Sequence, residues 1–177
     1  MKPRQTVMRI RSFTIKKGHH YCRWFWTKIF HPRWDHKRWF VQFVISSDNW
    51  IPYREGESSN KLYGVGFGLN HHENSWRINW RYNFEKEGYF LLSAYTYDGG
   101  GNFVEEELGE VKGDKSYSVT VESINKKYWF TCLDIGATVS IPNDYPDCKL
   151  QFDLYPYHGG KLTAPKEEVF FIEFTPA

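Results

Sequence analysis

Along most of the chain apolar and polar residues alternate with period two, while the 3.6-residue recurrence of an amphipathic helix is hard to find. The sequence therefore reads as a succession of β-strands. The pattern predicts strands over 6–15, 22–30, 37–46, 61–69, 75–82, 89–97, 102–111, 116–124, 127–133, 149–155 and 168–175. Stretches rich in Gly, Pro, Asn and Asp separate most of them, among them YREGESSN, NHHEN, NFEKEG, DGGG and IPNDYPD. Only 142–147 and 161–168 leave room for a helical turn. Many short strands joined in this way point to an all-β fold, an antiparallel β-sandwich. A jelly roll is the preferred form, because its two sheets suit a chain of this size and leave a concave face.

Strand parity gives the most specific reading. In KLYGVGFGL, Tyr63, Val65, Phe67 and Leu69 point one way and Gly64, Gly66 and Gly68 the other. In SWRINWRY, Trp76, Ile78, Trp80 and Tyr82 oppose Ser75, Arg77, Asn79 and Arg81. A short loop holding Asn70, His71, His72, Glu73 and Asn74 joins the two segments, so they should pair as an antiparallel hairpin. Setting Leu69 opposite Trp76 brings both apolar sets to the core and stands Arg77, Asn79 and Arg81 beside the glycines. A slip by one residue would bury the arginines unpaired, at high cost. The first register predicts a shallow groove with a bare glycine floor and an arginine rail. A flat ligand can approach its backbone while Arg and Asn reach anionic or polar groups. His71 and His72 would sit at its rim. The alternative is that the glycines serve only close packing.

The segment holding His71, His72, Asn74, Ser75, Arg77, Trp80 and Arg81 resembles a family of small β-sandwich proteins from gut bacteria and their phages. The resemblance spans about residues 60–125. It implies that these positions form a site and carries no activity with it.

With 177 residues, the chain is most simply one domain, 1–177, and 41% apolar with 19% aromatic residues gives bulk for one core. The basic N-terminus lacks the apolar region of a secretory signal, and no run approaches the roughly 20 apolar residues of a membrane span. A soluble, cytoplasmic protein is the expectation. Cys22, Cys132 and Cys148 are odd in number and widely spaced, which fits reduced thiols rather than a disulfide framework. The net charge of +2 hides an asymmetry: residues 1–40 carry eleven Lys or Arg and one acid, Asp35. In YCRWFWTKIFHPRWDHKRWF those cations interleave with aromatics, as suits phosphates and stacked bases, or simply a strand with solvated charges.

Other constellations are weaker. His19 and His20 form a second adjacent pair beside Lys16, Lys17 and Arg23; one imidazole from each pair could act as acid and base in metal-free phosphodiester cleavage. His31, His36 and His158 come with no HExxH, CxxC or carboxylate cluster, so neither metal nor cofactor is expected. Glu105, Glu106 and Glu107 read as a solvated edge. No two acids converge as glycosidase chemistry requires, Asp134 and Asp153 being the strand-placed aspartates. Trp24, Trp26, Trp34 and Trp39 are candidates for stacking, whereas Trp76, Trp80 and Trp129 are expected in the core.

Three functions follow. The leading one is non-enzymatic capture of a small anionic ligand, such as a nucleotide or cyclic oligonucleotide. Its site would comprise His71, His72, Asn74, Arg77, Asn79, Arg81, Gly64, Gly66, Gly68, His20 and Arg23. The alternatives are a carbohydrate-binding module and a phosphodiesterase using paired histidines. Aromatic richness and unguarded strand edges leave room for a homo-oligomer, and no membrane partner is expected.

Overall fold

The computed structural model describes residues 10–22, 33–34, 37–53, 59–68, 72–97, 102–143 and 150–176. Among these residues twelve strands form two six-stranded antiparallel sheets. They are β1 (Arg11–Ile15), β2 (Arg33–Trp34), β3 (Arg38–Ile45), β4 (Asn60–Phe67), β5 (Ser75–Tyr82), β6 (Tyr89–Tyr97), β7 (Phe103–Lys112), β8 (Ser116–Ile124), β9 (Lys127–Cys132), β10 (Ala137–Pro142), β11 (Leu150–Leu154) and β12 (Glu168–Pro176). One sheet runs β1-β12-β3-β8-β9-β10 and the other β2-β11-β4-β5-β6-β7. The result is a jelly-roll-like β-sandwich.

Alternation produces the core. In β3 the odd residues Trp39, Val41, Phe43 and Ile45 are buried while their neighbours are part-exposed, as a half-covered sheet requires. Trp76 of β5 meets Trp39 at 5.3 Å and Phe130 at 6.0 Å, and Trp80 meets Phe170 at 5.5 Å, so aromatic pairs tie the two sheets together. Each such side chain removed from water contributes about 1.5–3 kcal/mol.

The sequence reading departs from this in several places. β10, ATVSIP, has small and polar residues and was not expected; it pairs with β9. The short helical turns are 3-10 turns at Ser47–Asn49 and Leu133–Ile135, so Asp134 lies in a turn rather than a strand. Trp39 is 2% exposed and is a core residue, not a stacking surface. Trp129 is 38% exposed, because its side of β9 faces away from the second sheet. The stretch 22–30, with Arg23, Trp24 and Trp26, lies almost wholly outside the described residues, as do His31, His36 and Cys148. Cys22 and Cys132 are both buried. Among the described residues no helix is long and apolar enough to cross a membrane.

One polar knot lies inside this apolar frame. Glu168, fully buried at the start of β12, accepts from the Tyr82 hydroxyl at 2.7 Å and from His158 Nδ1 at 2.9 Å. The acid thereby joins β12 to β5 and to the segment after β11. Glu168→Ala would leave buried donors without their acceptor, at a cost of about 1–3 kcal/mol for each group orphaned. Urea unfolding should show a lower midpoint with an unchanged slope.

Candidate functional site

The β4–β5 hairpin has the parity expected from its apolar residues but not the expected pairing. Trp76 stands opposite Val65 rather than Leu69, Arg77 opposite Gly64 and Ser75 opposite Gly66. Val65 and Leu69 belong to the same face, so the apolar sets share the core even though the loop is longer than the short connection expected. Leu69 and His71 themselves lie outside the described residues.

Gly64 explains the floor. A Cβ placed on it would fall 2.7 Å from Arg77 Cγ and 2.2 Å from the Trp76 carbonyl oxygen, so the glycine makes room for the arginine's own stem. The bare floor is occupied from within, and Arg77, 7% exposed, lies across it. Gly66 sits between Ser75 and Phe152 in the sheet. Gly68 takes φ +74° where the chain leaves β4, a left-handed turn that favours glycine.

Arg77 lines a cavity of about 270 Å³ together with Tyr21, Lys61, His72, Tyr97, Leu154, Tyr155 and Tyr157. Its side chain makes no hydrogen bond or ion pair with any described residue. Burial pushes its guanidinium down to about 10, opposed by the oxygens of Tyr97, Tyr95 and Tyr157. Lys61 is pushed down to about 8, chiefly by burial and then by Arg77, with Glu105 acting against both. Burial, Arg77 and Lys61 also hold His72 below the usual histidine range. Cations that depress one another in a concave site mark a place where an anion would relieve repulsion.

Tyrosines form the walls. His72 Nδ1 lies 3.3 Å from the Tyr97 hydroxyl, with the rings edge to face. Tyr21 and Tyr157 are tilted at 5.1 Å, and Tyr157 stacks on His20 at 5.5 Å. His20 Nδ1 donates to the His158 carbonyl at 2.8 Å, so His20 buttresses Tyr157 and does not line the cavity. Of the described histidines, His20 and His72 therefore do not meet as an acid and a base across it.

The remaining expected site residues lie elsewhere. Arg81 donates to Glu107 at 2.7 Å on the open part of the same sheet face. Asn79 is buried and donates to Glu105 at 3.4 Å. Asn74 is buried at the hairpin end, its carbonyl accepting the Phe67 N–H. Arg23 is outside the described residues, and among the described residues no three His, Cys, Asp or Glu gather as a metal site.

Lys61 and the tyrosines escaped the sequence reading. Strict alternation sends Lys61 to the core beside Tyr63, but a bulge between Lys61 and Tyr63 pairs Lys61 with Asn79 and turns it into the cavity. Tyr157 is held there by two backbone hydrogen bonds with Lys61, of 2.8 and 2.9 Å. Tyr95 and Tyr97 alternate in β6 with the core residues Ala94 and Thr96, and Tyr95 stands opposite Arg77, a pairing visible only once the β5–β6 register is known.

No protein-family model and no curated protein sequence matches the chain. Solved structures do resemble it in fold. The alginate lyase AlyC3 superposes with a TM-score of 0.56 at 12% identity, over 94% of this chain and 74% of that one. An alginate lyase from Klebsiella pneumoniae gives 0.56 at 8% identity, over 80% and 60%. The Crh5 transglycosylase gives 0.55 at 9% identity, over 97% and 78%. At such identities the likeness is one of fold, which alone fixes no chemistry.

Two outcomes follow from the geometry. Gly64→Ala should destabilise the protein by about 1–3 kcal/mol, as overpacking does, and should displace Arg77, so that thermal melting and anion binding fall together. Affinity for an anion should decline as the pH rises through about 8, where Lys61 loses its proton, and decline again towards about 10 with Arg77. A titration series at constant ionic strength reads this directly.

Proposed function

We propose that the Arg77 cavity binds an acidic carbohydrate, with the carboxylate of a uronate-type sugar on the guanidinium and the pyranose faces against Tyr21, Tyr97 and Tyr157. The observation that carries this reading is Arg77 itself: buried, aimed into a cavity and without a counterion among the described residues. A planar guanidinium suits a carboxylate in two-pronged geometry. Tyrosine walls supply both apolar ring faces and hydroxyls, the mixture a sugar presents in return. The fold likeness supports the choice of ligand, since the AlyC3 lyase has also been solved with dimannuronate, a uronate disaccharide. A nucleotide phosphate satisfies the same guanidinium, and a base can stack on the same tyrosines. The acidic sugar is preferred because tyrosines dominate the cavity lining, and each offers a ring face that suits a pyranose.

The His72–Tyr97 pair beside Arg77 favours a second reading, in which a bound uronate is cleaved by β-elimination. Arg77 would offset the carboxylate charge and make the neighbouring C–H acidic. A neutral imidazole or amine would take that proton, and a tyrosine hydroxyl would protonate the departing glycosidic oxygen as the double bond forms.

Calorimetric titration of uronate oligosaccharides, neutral oligosaccharides and mono- and cyclic nucleotides, at low and moderate salt, with recovery of the ligand, tests these readings. Acidic sugars should bind, more weakly as salt rises, and Arg77→Ala should lower affinity by about tenfold or more, the 1.4 kcal/mol or greater expected of a charge-assisted pair. Equal binding of neutral sugars, or full binding by Arg77→Ala, would sink the proposal. Binding of nucleotides alone would reassign the cavity, and an unsaturated sugar product would make the protein a lyase.

A further inference from the structure

Beyond the Arg77 cavity, the same face of the sheet holds a second depression, of about 670 Å³, lined by Ser59, Arg81, Phe84 and Leu91 among others. Arg77 and Arg81 project from one face of β5 because they are an even number of residues apart. They are four positions apart along the strand, roughly 13 Å. Lys61 walls the cavity, Ser59 walls the depression, and the Lys61 ammonium donates to the Ser59 carbonyl at 2.7 Å, so the two hollows share one partition.

An aromatic pair stands at the far end. Phe84 is 37% exposed and Tyr53 71%, with ring centroids 6.0 Å apart. Two large rings beside a polar hollow offer a stacking surface, Phe84 resting on Tyr82 with ring centroids 5.9 Å apart. The charges there differ from those at Arg77: Arg81 already holds Glu107, and both are about half exposed. An exposed pair of this kind exchanges partners at little cost, so among the described residues the second hollow has no uncompensated cation to attract an anion.

Resting on the acidic-carbohydrate reading, we infer that the ligand is an oligosaccharide extending along β5 from the Arg77 cavity to a second subsite, where Phe84 and Tyr53 take the face of a further pyranose. The first subsite selects by charge and the second by stacking and hydroxyl contacts. A monosaccharide does not reach both, so affinity grows with chain length, and the increment is insensitive to salt.

Calorimetry of a uronate monosaccharide and of its oligomers of increasing length, on the intact protein and on Arg77→Ala, Phe84→Ala and Tyr53→Ala, decides the matter. Tyr53 is 71% exposed and Phe84 37%, and circular dichroism of each variant checks that the fold is retained. Phe84→Ala should weaken the longest oligomer by about 2- to 10-fold and leave the monosaccharide unchanged, with Tyr53→Ala acting the same way. Equal affinity for all lengths, or an equal loss at every length in Phe84→Ala, overturns the second subsite while a loss in Arg77→Ala keeps the first. Binding that survives Arg77→Ala overturns both.

Discussion

The opposition of Gly64 and Arg77 across the β4–β5 pair is the contact on which the site depends. A guanidinium is expensive to bury, because it leaves water and gains back only what its surroundings supply. Here the surroundings supply a flat backbone shelf at Gly64, on which the stem lies, and tyrosine oxygens around the head. The register that creates the shelf is fixed from the other face. Val65 and Trp76 are opposite one another in the core, and moving either strand by one residue would expose Trp76 and Trp80 while driving Arg77 inward. Core packing on one face therefore sets the position of a charged group on the other, and the two cannot be altered separately.

The disposition of the acids completes this arrangement. Glu105, one strand beyond Tyr95, accepts from Ser59 at 2.6 Å, from Ser93, and from Asn79 at 3.4 Å. Glu107 is engaged by Arg81, and Glu110 by Lys86 and Asn83. Each β7 carboxylate that faces the groove is thus held by donors nearer to it than Arg77. The run EEE, which resembles a plain solvated edge, does lie on the edge strand of its sheet, yet its first member is a hydrogen-bond hub. Holding the carboxylates there keeps Arg77 without a partner, and the cost of that isolation appears in the lowered proton affinity of Arg77, Lys61 and His72.

The fold was legible wherever period two was strong. Strands such as β5 and β6 run over the residues expected of them, since their apolar positions form unbroken stripes. β10 was not legible because Thr138, Ser140 and Ala137 carry little apolar contrast, and the strand forms only by pairing with β9. Trp129 misled for the opposite reason: its size suggests a core residue, but its parity within β9 differs from that of Tyr128 and Phe130. In the site, Arg77 and His72 could be named from the hairpin alone, because hairpin contacts are local in sequence. Lys61 required a bulge that no pattern announces, and Tyr157 comes from a segment about a hundred residues away. Long-range neighbours are set by sheet order, which one sequence does not reveal.

The contrast between Arg77 and Arg81 shows why a motif is a poor substitute for a site. Both arginines occupy the same face of the same strand, and spacing alone makes them one rail. Their surroundings make them different groups. Arg81 lies opposite Leu91 in β6 and reaches Glu107 in solvent, where an ion pair contributes little and water competes for both partners. Arg77 lies between Gly64 and Tyr95 in a cavity walled by rings, where screening by water is weaker and an arriving anion meets a cation without a partner among the described residues. What separates them is the chain that closes over one end of the groove, Tyr157 on Lys61 and Tyr21 on Tyr157. Removing that cover would return Arg77 to the condition of Arg81, so the selectivity of the cavity rests on the tyrosine wall as much as on the arginine it encloses.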